Sequence, residues 1–408
     1  MEFKEYNPQR LVTSLTKNRI DSIDILRGIV MVIMALDHVR DYFHIAANTS
    51  DPLGLATTTT FLFFTRWITH FCAPIFIFLS GISIYLQSLR KTKKELSSFL
   101  ITRGLWLILA EVIIVSFGWS FNPIYRFMFL QVIWAIGISM VILGLLIYLP
   151  FNAIFVLGLV IVLGHNLLDI PESAPGFKAG FWWDLFHHGS FVQYPYAQNH
   201  SLFLVYPFLP WLGLMMIGYC TGIFFAPEFQ PERRRQVLTR IGVGLILFFI
   251  VLRLINVYGD PVPWTSQKTN WLTFLSFLKI NKYPPSLLFM CLTVGTAFLL
   301  LPVLEKFQNG FTNVMRTYGR VAFFYYVGHI YLVHVLTAIC FFGRGHSFED
   351  VGNIGQQYPF YFVAVGEGYS LPLVYLVWIV VIVLLYPLCK WYDRYKTTHR
   401  EKWWLSYV

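Results

Sequence analysis

The first hydrophobic segment of the chain, residues 23–43, contains ionisable side chains where a membrane-spanning helix is normally apolar. They are Asp24, Arg27, Asp37, His38, Arg40 and Asp41. Because a charge that faces lipid is costly, such residues usually face a bundle interior or a water-filled cavity, and they are candidates for a functional site. In such a cavity an imidazole can act as a general base or as a nucleophile. A guanidinium nearby can bind a phosphate.

The spacing of these residues places several of them on one face of a helix. Arg27 and His38 are eleven residues apart, about three turns, so their side chains point within about 20° of each other. The same stripe is about 25 Å long and also contains Asp24, Met31, Met34 and Asp41. One helix therefore presents a cation near its start and a histidine about 16 Å further along.

Two carboxylates and a second histidine lie close to His38 in the sequence. Asp37 is adjacent, Asp41 follows one turn later, and His44 lies beyond. A carboxylate that fixes the tautomer of a histidine raises its basicity, which general-base or nucleophilic catalysis requires. We therefore expect His38 to take part in the chemistry, with Asp37 or Asp41 at its second ring nitrogen and His44 as the other candidate. The alternative is a structural network with Asp24–Arg27 and Asp37–Arg40–Asp41 as local ion pairs.

Two later apolar segments contain further polar residues. Arg66 lies at the start of the second, and the ninth contains His329 and His334. Measured along the helix from Arg320, His334 lies about 21 Å and His329 about 13 Å from the inner boundary. His334 is thus expected nearer the depth of His38, and both histidines are candidates for the site.

Composition indicates an integral membrane protein. Of 408 residues, 56% are hydrophobic and 13% are charged, whereas soluble domains contain about 25% charged residues. The net charge of +10 does not indicate nucleic-acid binding, because the basic residues form short clusters between apolar runs. The five cysteines occur singly, without a Cys/His metal spacing, so no metal site is expected.

The apolar runs predict an all-α fold: a polytopic membrane bundle of about ten transmembrane helices. The runs are 22–42, 67–88, 99–120, 127–148, 151–168, 203–224, 237–257, 286–304, 320–342 and 371–390. With both termini cytosolic, the inner segments contain 19 basic residues and the outer segments 6. The expected organisation is a cytosolic segment over residues 1–21, a transmembrane domain over 22–390 and a cytosolic tail over 391–408.

Several short blocks, in this order, resemble the bacterial relatives of heparan-alpha-glucosaminide N-acetyltransferase. The blocks are Ile23–Gly28 with Met34–His38, Pro74–Gly81, Tyr206–Tyr219 and Gly319–His334. The resemblance implies a bundle of ten or eleven helices that takes an acetyl group from cytosolic acetyl-CoA and delivers it across the membrane through a histidine. Arg27 and His38 match the Arg/His pair of membrane acyltransferases that modify sugars. The lysosomal enzyme has its histidine nearer His44, which leaves open which histidine acts.

Three functions follow for these residues. The first is acyl transfer from acetyl-CoA to a sugar or glycan acceptor at the outer face of a bacterial inner membrane. Its expected catalytic residues are His38, His44, Asp37, Asp41, His329 and His334, and its expected donor-binding residues are Arg27, Asp24, Arg66, Arg320 and Tyr325. The second is a secondary transporter or proton-coupled exporter, in which the same stripe relays protons. The third is a non-catalytic membrane partner or sensor. The sequence leaves a homodimer open.

Overall fold

The computed structural model describes residues 20–47, 49–189 and 191–406, and their side chains except those of Gln357 and Ser406. The segment predicted over residues 1–21 therefore lies almost wholly outside the described residues. The α-helices are α1 (Asp21–Phe43), α2 (Thr60–Ile68), α3 (Cys72–Ser88), α4 (Lys93–Ala110), α5 (Ser116–Ser120), α6 (Val132–Leu146), α7 (Phe151–Gly164), α8 (Asp169–Glu172), α9 (Phe181–Trp183), α10 (Phe208–Thr221), α11 (Pro231–Ile255), α12 (Asn270–Leu278), α13 (Leu287–Lys306), α14 (Gly310–Arg320), α15 (Ala322–Gly343), α16 (Phe348–Gln357) and α17 (Leu371–Thr398).

Eight helical segments of the described chain are long and apolar enough to cross a membrane. They are Thr60–Ser88, Lys93–Ser120, Phe151–Glu172, Phe208–Phe225, Pro231–Ile255, Leu287–Lys306, Ala322–Gly343 and Leu371–Thr398. The remaining two predicted spans are helical as well, but α1 contains too many charges and α6 has only 15 residues. The predicted all-α polytopic membrane bundle is confirmed.

The most charged helix lies at the centre of the bundle. α1 packs against α3, α13, α14, α15 and α17, and most of its side chains are buried. By contrast α7, α11 and α17 expose long apolar faces, as helices in contact with lipid do. The protein therefore keeps the charges of α1 away from lipid, in accord with the cost of exposing them there.

Glycines allow α14 to lie directly against the first turns of α1. A Cβ atom on Gly28 would lie 1.8 Å from the carbonyl oxygen of Met315, and one on Gly319 would lie 1.8 Å from that of Asp24. Small residues permit such close contact of helix backbones in membranes. Because α15 follows α14 at once, it starts beside the second turn of α1 rather than beside the first residue of α1.

A small sheet covers one end of the helices. Strands β1 (Phe127–Leu130), β2 (Val192–Ala197) and β3 (His200–Leu204) have the order β1-β3-β2, with β1 and β3 parallel and β2 and β3 antiparallel. The fourth span predicted over residues 127–148 therefore begins too early, since its first residues pair with β3.

A buried carboxylate fixes the start of α6. Glu111 lies in a π-helical turn (Glu111–Val115) and accepts hydrogen bonds from the backbone N–H groups of Gln131 (3.2 Å) and Trp134 (3.1 Å). These donors at the N-terminus of a helix otherwise lack partners. Glu111 thus positions the segment from Gln131 to Ile133, which forms part of the wall described next.

Candidate active site

A chamber of about 550 Å³ lies beside α1. Apolar side chains of α1 and α3 form its deepest part, namely Val30, Met34 and Phe76. Connecting segments form its mouth, with Asp51, Pro52, Phe191, Lys282, Tyr283, Tyr358, Pro359 and Phe360. The volume lies within the range of about 300–1,000 Å³ that is usual for small-molecule sites.

His38 and His329 form a hydrogen-bonded pair at the chamber wall. His38 Nδ1 lies 2.7 Å from His329 Nε2, and the rings stack with centroids 4.9 Å apart. His329 Nδ1 lies 3.0 Å from the carbonyl oxygen of Tyr325, which can only accept, so this nitrogen carries a proton. In a neutral pair His329 Nε2 then accepts from His38 Nδ1, and the lone pair of His38 is on Nε2.

The second nitrogen of His38 is available to a ligand. Among the described residues no group forms a hydrogen bond with His38 Nε2, and the ring lines the chamber. Trp119 packs edge-on against the imidazole at 4.7 Å between centroids, and Tyr326 does so at 6.4 Å. An imidazole with one nitrogen held and the other free in a cavity has the arrangement of a general base or nucleophile.

Asp37 is the centre of an ion-pair network in the same wall. Its Oδ1 lies 2.9 Å from Arg40 Nη2, and its Oδ2 lies 2.7 Å from Arg66 Nη1 and 4.0 Å from Lys282 Nζ. Asp41 pairs with Arg40 as well. Because each charge has a partner of opposite sign, the network can exist in a site removed from bulk water.

This network corrects one expectation about His38. Asp37 or Asp41 was predicted at the second ring nitrogen, but His329 occupies that position and both carboxylates bind arginine. Adjacent residues on a helix point about 100° apart, so Asp37 does not face the imidazole that follows it. The predicted local ion pairs within α1 are present.

Two tyrosines lie near the mouth of the chamber, beside Arg66. The Tyr206 and Tyr283 rings lie edge to face with centroids 5.3 Å apart. Burial raises the pKa of Tyr283, but the charges of Lys282 and Arg66 outweigh this effect, so that the pKa lies below that of an ordinary tyrosine. The Tyr283 hydroxyl can donate its proton in a hydrogen bond to a bound molecule.

Arg27 lies outside the chamber, about one turn before its deepest residues. Its guanidinium pairs with Asp24 (3.0 Å) and donates to Ser83 Oγ (2.8 Å) and to the carbonyl oxygen of Gly319 (3.4 Å). Arg66, the other cation expected to help Arg27, belongs to the opposite part of the site at Asp37. Arg27 and His38 therefore lie on one helix but in two separate environments.

The other two histidine candidates do not line the chamber. His334 lies 3.0 Å from the carbonyl oxygen of Gly118 and 2.9 Å from that of Tyr361, and stacks on Phe121. His44 follows the last residue of α1, and its Nδ1 accepts from the backbone N–H of Ala46. Burial and the charge of Arg40 lower the pKa of His44.

The predicted depth of the two histidines of α15 is wrong, because His329 and not His334 lies beside His38. The estimate placed the starts of the first and ninth spans at one depth. In the structure Gly319 lies against Asp24, so α15 starts about one turn above the start of α1; this shift of about 5 Å accounts for only part of the difference of about 12 Å in estimated depth between His329 and His38.

The last two donor-binding candidates lie on or next to α15. Arg320 pairs with Asp393 of α17 at 3.2 Å. Tyr325 is fully buried and stacks on His329 with ring centroids 5.3 Å apart.

Sequence reasoning missed several residues of the chamber. Trp119, Lys282, Tyr283 and Tyr358 come from segments that the apolar pattern identifies only as loops or ordinary spans. Their one signal is the aromatic content of the longer loops between the spans, which interfacial anchoring explains equally well.

The bundle and its chamber define a membrane-embedded protein with a histidine placed for proton or group transfer. The sequence profile of the family "heparan-alpha-glucosaminide N-acetyltransferase, catalytic" matches residues 19–255, more than half of the chain. The chain belongs to this family, which confirms the resemblance, and its activity is of the transmembrane acetyltransferase type. A comparison with curated proteins gives no match. The matched residues include His38 and Arg66, while His329 lies beyond them.

Proposed function

We propose that this protein moves an acetyl group from cytosolic acetyl-CoA to a sugar-like acceptor on the outer side of a bacterial inner membrane. The observation that supports this proposal most is the state of His38. Its Nδ1 is held by His329, and its Nε2 faces the chamber without a partner among the described residues.

In the proposed step His38 Nε2 takes the proton of the acceptor hydroxyl or amine as this group attacks the thioester carbonyl. The C–S bond then breaks, and the imidazolium returns the proton to the leaving sulfur, which gives CoA thiol and the acetylated acceptor. His329 keeps the imidazole in the correct tautomer through the hydrogen bond at Nδ1. A histidine that carries the acetyl group for part of the cycle would use the same nitrogen.

We assign the donor to the inner part of α1. Arg27 would bind a phosphate of CoA, because a guanidinium matches phosphate geometry and the Asp24 and Ser83 contacts fix its position. The separation of about 16 Å between Arg27 and His38 along the helix suits the pantetheine arm. Since Arg27 lies below the chamber, the side chains around Val30 and Phe76 must move apart to admit that arm.

We assign the acceptor to the outer part of the chamber. Trp119, Tyr206 and Phe360 offer flat apolar surfaces to a sugar ring. Lys282 and the Tyr283 hydroxyl offer hydrogen-bond donors to its oxygens. The outer position of these segments rests on the distribution of basic residues, which favours cytosolic termini.

The test is acetyl transfer by the purified full chain in proteoliposomes. Radiolabelled acetyl-CoA is supplied on one side of the membrane and a panel of amino and neutral sugars on the other, with inside-out vesicles as the matched control. We expect label in the sugar only when acetyl-CoA is on the side of the termini. If the protein neither binds acetyl-CoA nor releases CoA thiol with any acceptor, the proposal fails and the exporter alternative takes its place.

A further inference from the structure

A second group of polar residues lies away from the chamber, where α7 leads into the segment between residues 169 and 202. Asp169, Glu172 and His187 each offer one ligand atom, and these atoms lie within 4.8 Å of one another. Asp169 and Glu172 are the two ends of the single-turn helix α8, and His187 comes from the π-helical turn Asp184–His188. His187 is fully buried, and the Glu172 side chain is nearly so.

The two carboxylates are also held by residues outside the group. Glu172 Oε1, which lies 2.8 Å from His187 Nδ1, accepts a hydrogen bond from Trp183 Nε1. Asn166 Nδ2 donates to Asp169 Oδ2 at 2.6 Å. Metal-binding carboxylates and imidazoles usually have such outer partners, which fix their orientation.

The second nitrogen of His187 points to another buried histidine. His187 Nε2 lies 3.2 Å from His165 Nδ1, and His165 is 3% exposed with no hydrogen-bond partner for its Nε2 among the described residues. A metal at His187 Nδ1 would leave its Nε2–H to donate to His165, as ligating histidines do.

The charges in this group are not balanced by basic side chains. Within the described chain no lysine or arginine forms an ion pair with Asp169 or Glu172, and their one basic partner is His187. Two carboxylates this close repel each other when both are ionised. A divalent cation would neutralise them.

We propose that Asp169, Glu172 and His187 bind one divalent transition-metal ion, Zn²⁺ by preference. An imidazole with two carboxylates is a donor set that Zn²⁺ accepts. Ligand distances of about 2.0–2.2 Å place tetrahedral donor atoms about 3.4 Å apart, so donor atoms that now lie within 4.8 Å of one another would have to move by about 1 Å. The ion would join the end of α7 to the turn that precedes β2. Since Phe191 and Phe203 on this side line the chamber, the metal would stabilise the chamber wall.

The experiment is metal binding by the full chain in detergent after removal of metals with a chelator. Zn²⁺ is added back in competition with a fluorescent indicator, and bound zinc is counted by mass spectrometry. We expect about one Zn²⁺ per chain and a higher Tm when it is bound. Asp169→Asn, Glu172→Gln and His187→Gln should each weaken binding by more than about 100-fold, and His165→Leu by about 10–100-fold with the same stoichiometry.

His188→Gln is the matched control, because His188 is the neighbouring residue but pairs with Asp184 instead. It should bind zinc as the unaltered chain does. Three results would overturn the proposal: no uptake of Zn²⁺ by the stripped, monodisperse chain, uptake of Ca²⁺ or Mg²⁺ alone, or equal loss in the His187 and His188 variants. Because the readout is bound metal, the result does not depend on the acyltransferase proposal.

Discussion

The described part of the chain contains two pairs of histidines joined through ring nitrogens, and the pairs differ in what their other ring nitrogens contact. In the chamber pair, His329 is bonded to a backbone carbonyl, and among the described residues no group binds the second ring nitrogen of His38, whose ring lines the chamber. In the second pair, His187 is bonded to Glu172 and His165 is buried. Both pairs are joined through ring nitrogens, at 2.7 and 3.2 Å, but only the chamber pair has a ring that lines the chamber. If His38 acts as we propose, access to the remaining nitrogen, rather than the pairing itself, distinguishes it from His165.

The carboxylates show the same contrast. Glu172 contacts its histidine directly, whereas Asp37 next to His38 binds Arg40 and Arg66. In the chamber, Arg40 and Arg66 pair with the Asp37 carboxylate, and His329 rather than a carboxylate fixes the tautomer of His38. The following predictions test this contrast.

The largest effect is expected for the free nitrogen itself. His38→Ala should lower kcat by about 10²–10⁴-fold, because a general base typically contributes that much. The measurement is acetyl transfer by purified protein at saturating acetyl-CoA. His44→Ala is the comparison variant, and the assignment is refuted if it is the inactive one while His38→Ala turns over normally.

A smaller loss is expected for the partner ring. His329→Leu should lower kcat by roughly 10–100-fold, while His329→Gln, whose amide oxygen can accept from His38 Nδ1, should retain more activity. The KM for acetyl-CoA should change little in either variant, because His329 does not line the chamber. Equal activity of the two variants would show that the hydrogen bond is not what matters.

A binding effect is expected at the other end of the stripe. Arg27→Ala should raise the KM for acetyl-CoA about tenfold and leave kcat within a few-fold, since loss of a charge-assisted phosphate contact weakens binding. Arg320→Ala removes the second inner cation, which pairs with Asp393. Should the KM increase appear in Arg320→Ala instead, the donor binds between α15 and α17.

The smallest effect concerns the close contact between α1 and α14. Gly28→Ala should destabilise the protein by about 1–3 kcal/mol, because its new methyl group meets the Met315 carbonyl. Gly244→Ala in α11 is the control, with open space around the position and no loss of Tm expected. A thermal melt of both variants decides this point, and equal Tm values would contradict the close contact.

Much of the architecture could be predicted from the sequence. Apolar length identifies the helices, and the cost of charge in lipid predicts that α1 lies in the interior. The start of α6 was misplaced, because pairing of β1 with β3 depends on residues more than seventy positions away. Hydropathy contains no information about such long-range pairing.

The site was harder to predict for a related reason. Helical periodicity gives the direction of a side chain on its own helix but not the relative height of two helices. The contact between His38 and His329 depends on how α1, α14 and α15 pack together, including the close glycine contact between α1 and α14. Asp169, Glu172 and His187 gave no signal, because their spacing matches no common metal motif and the turn that joins them forms only in the fold.

The apolar floor of the chamber has a consequence for the energy supply of the cell. A wet, charged cavity that reached both faces would conduct protons down the membrane gradient. Val30, Met34 and Phe76 line the cavity with apolar surface from about one turn beyond Arg27, and Arg27 itself lies outside the lining. In the proposed reaction the pantetheine arm would push these apolar side chains apart and occupy the space between them. The bound donor would then itself block the passage of protons while acetyl transfer proceeds.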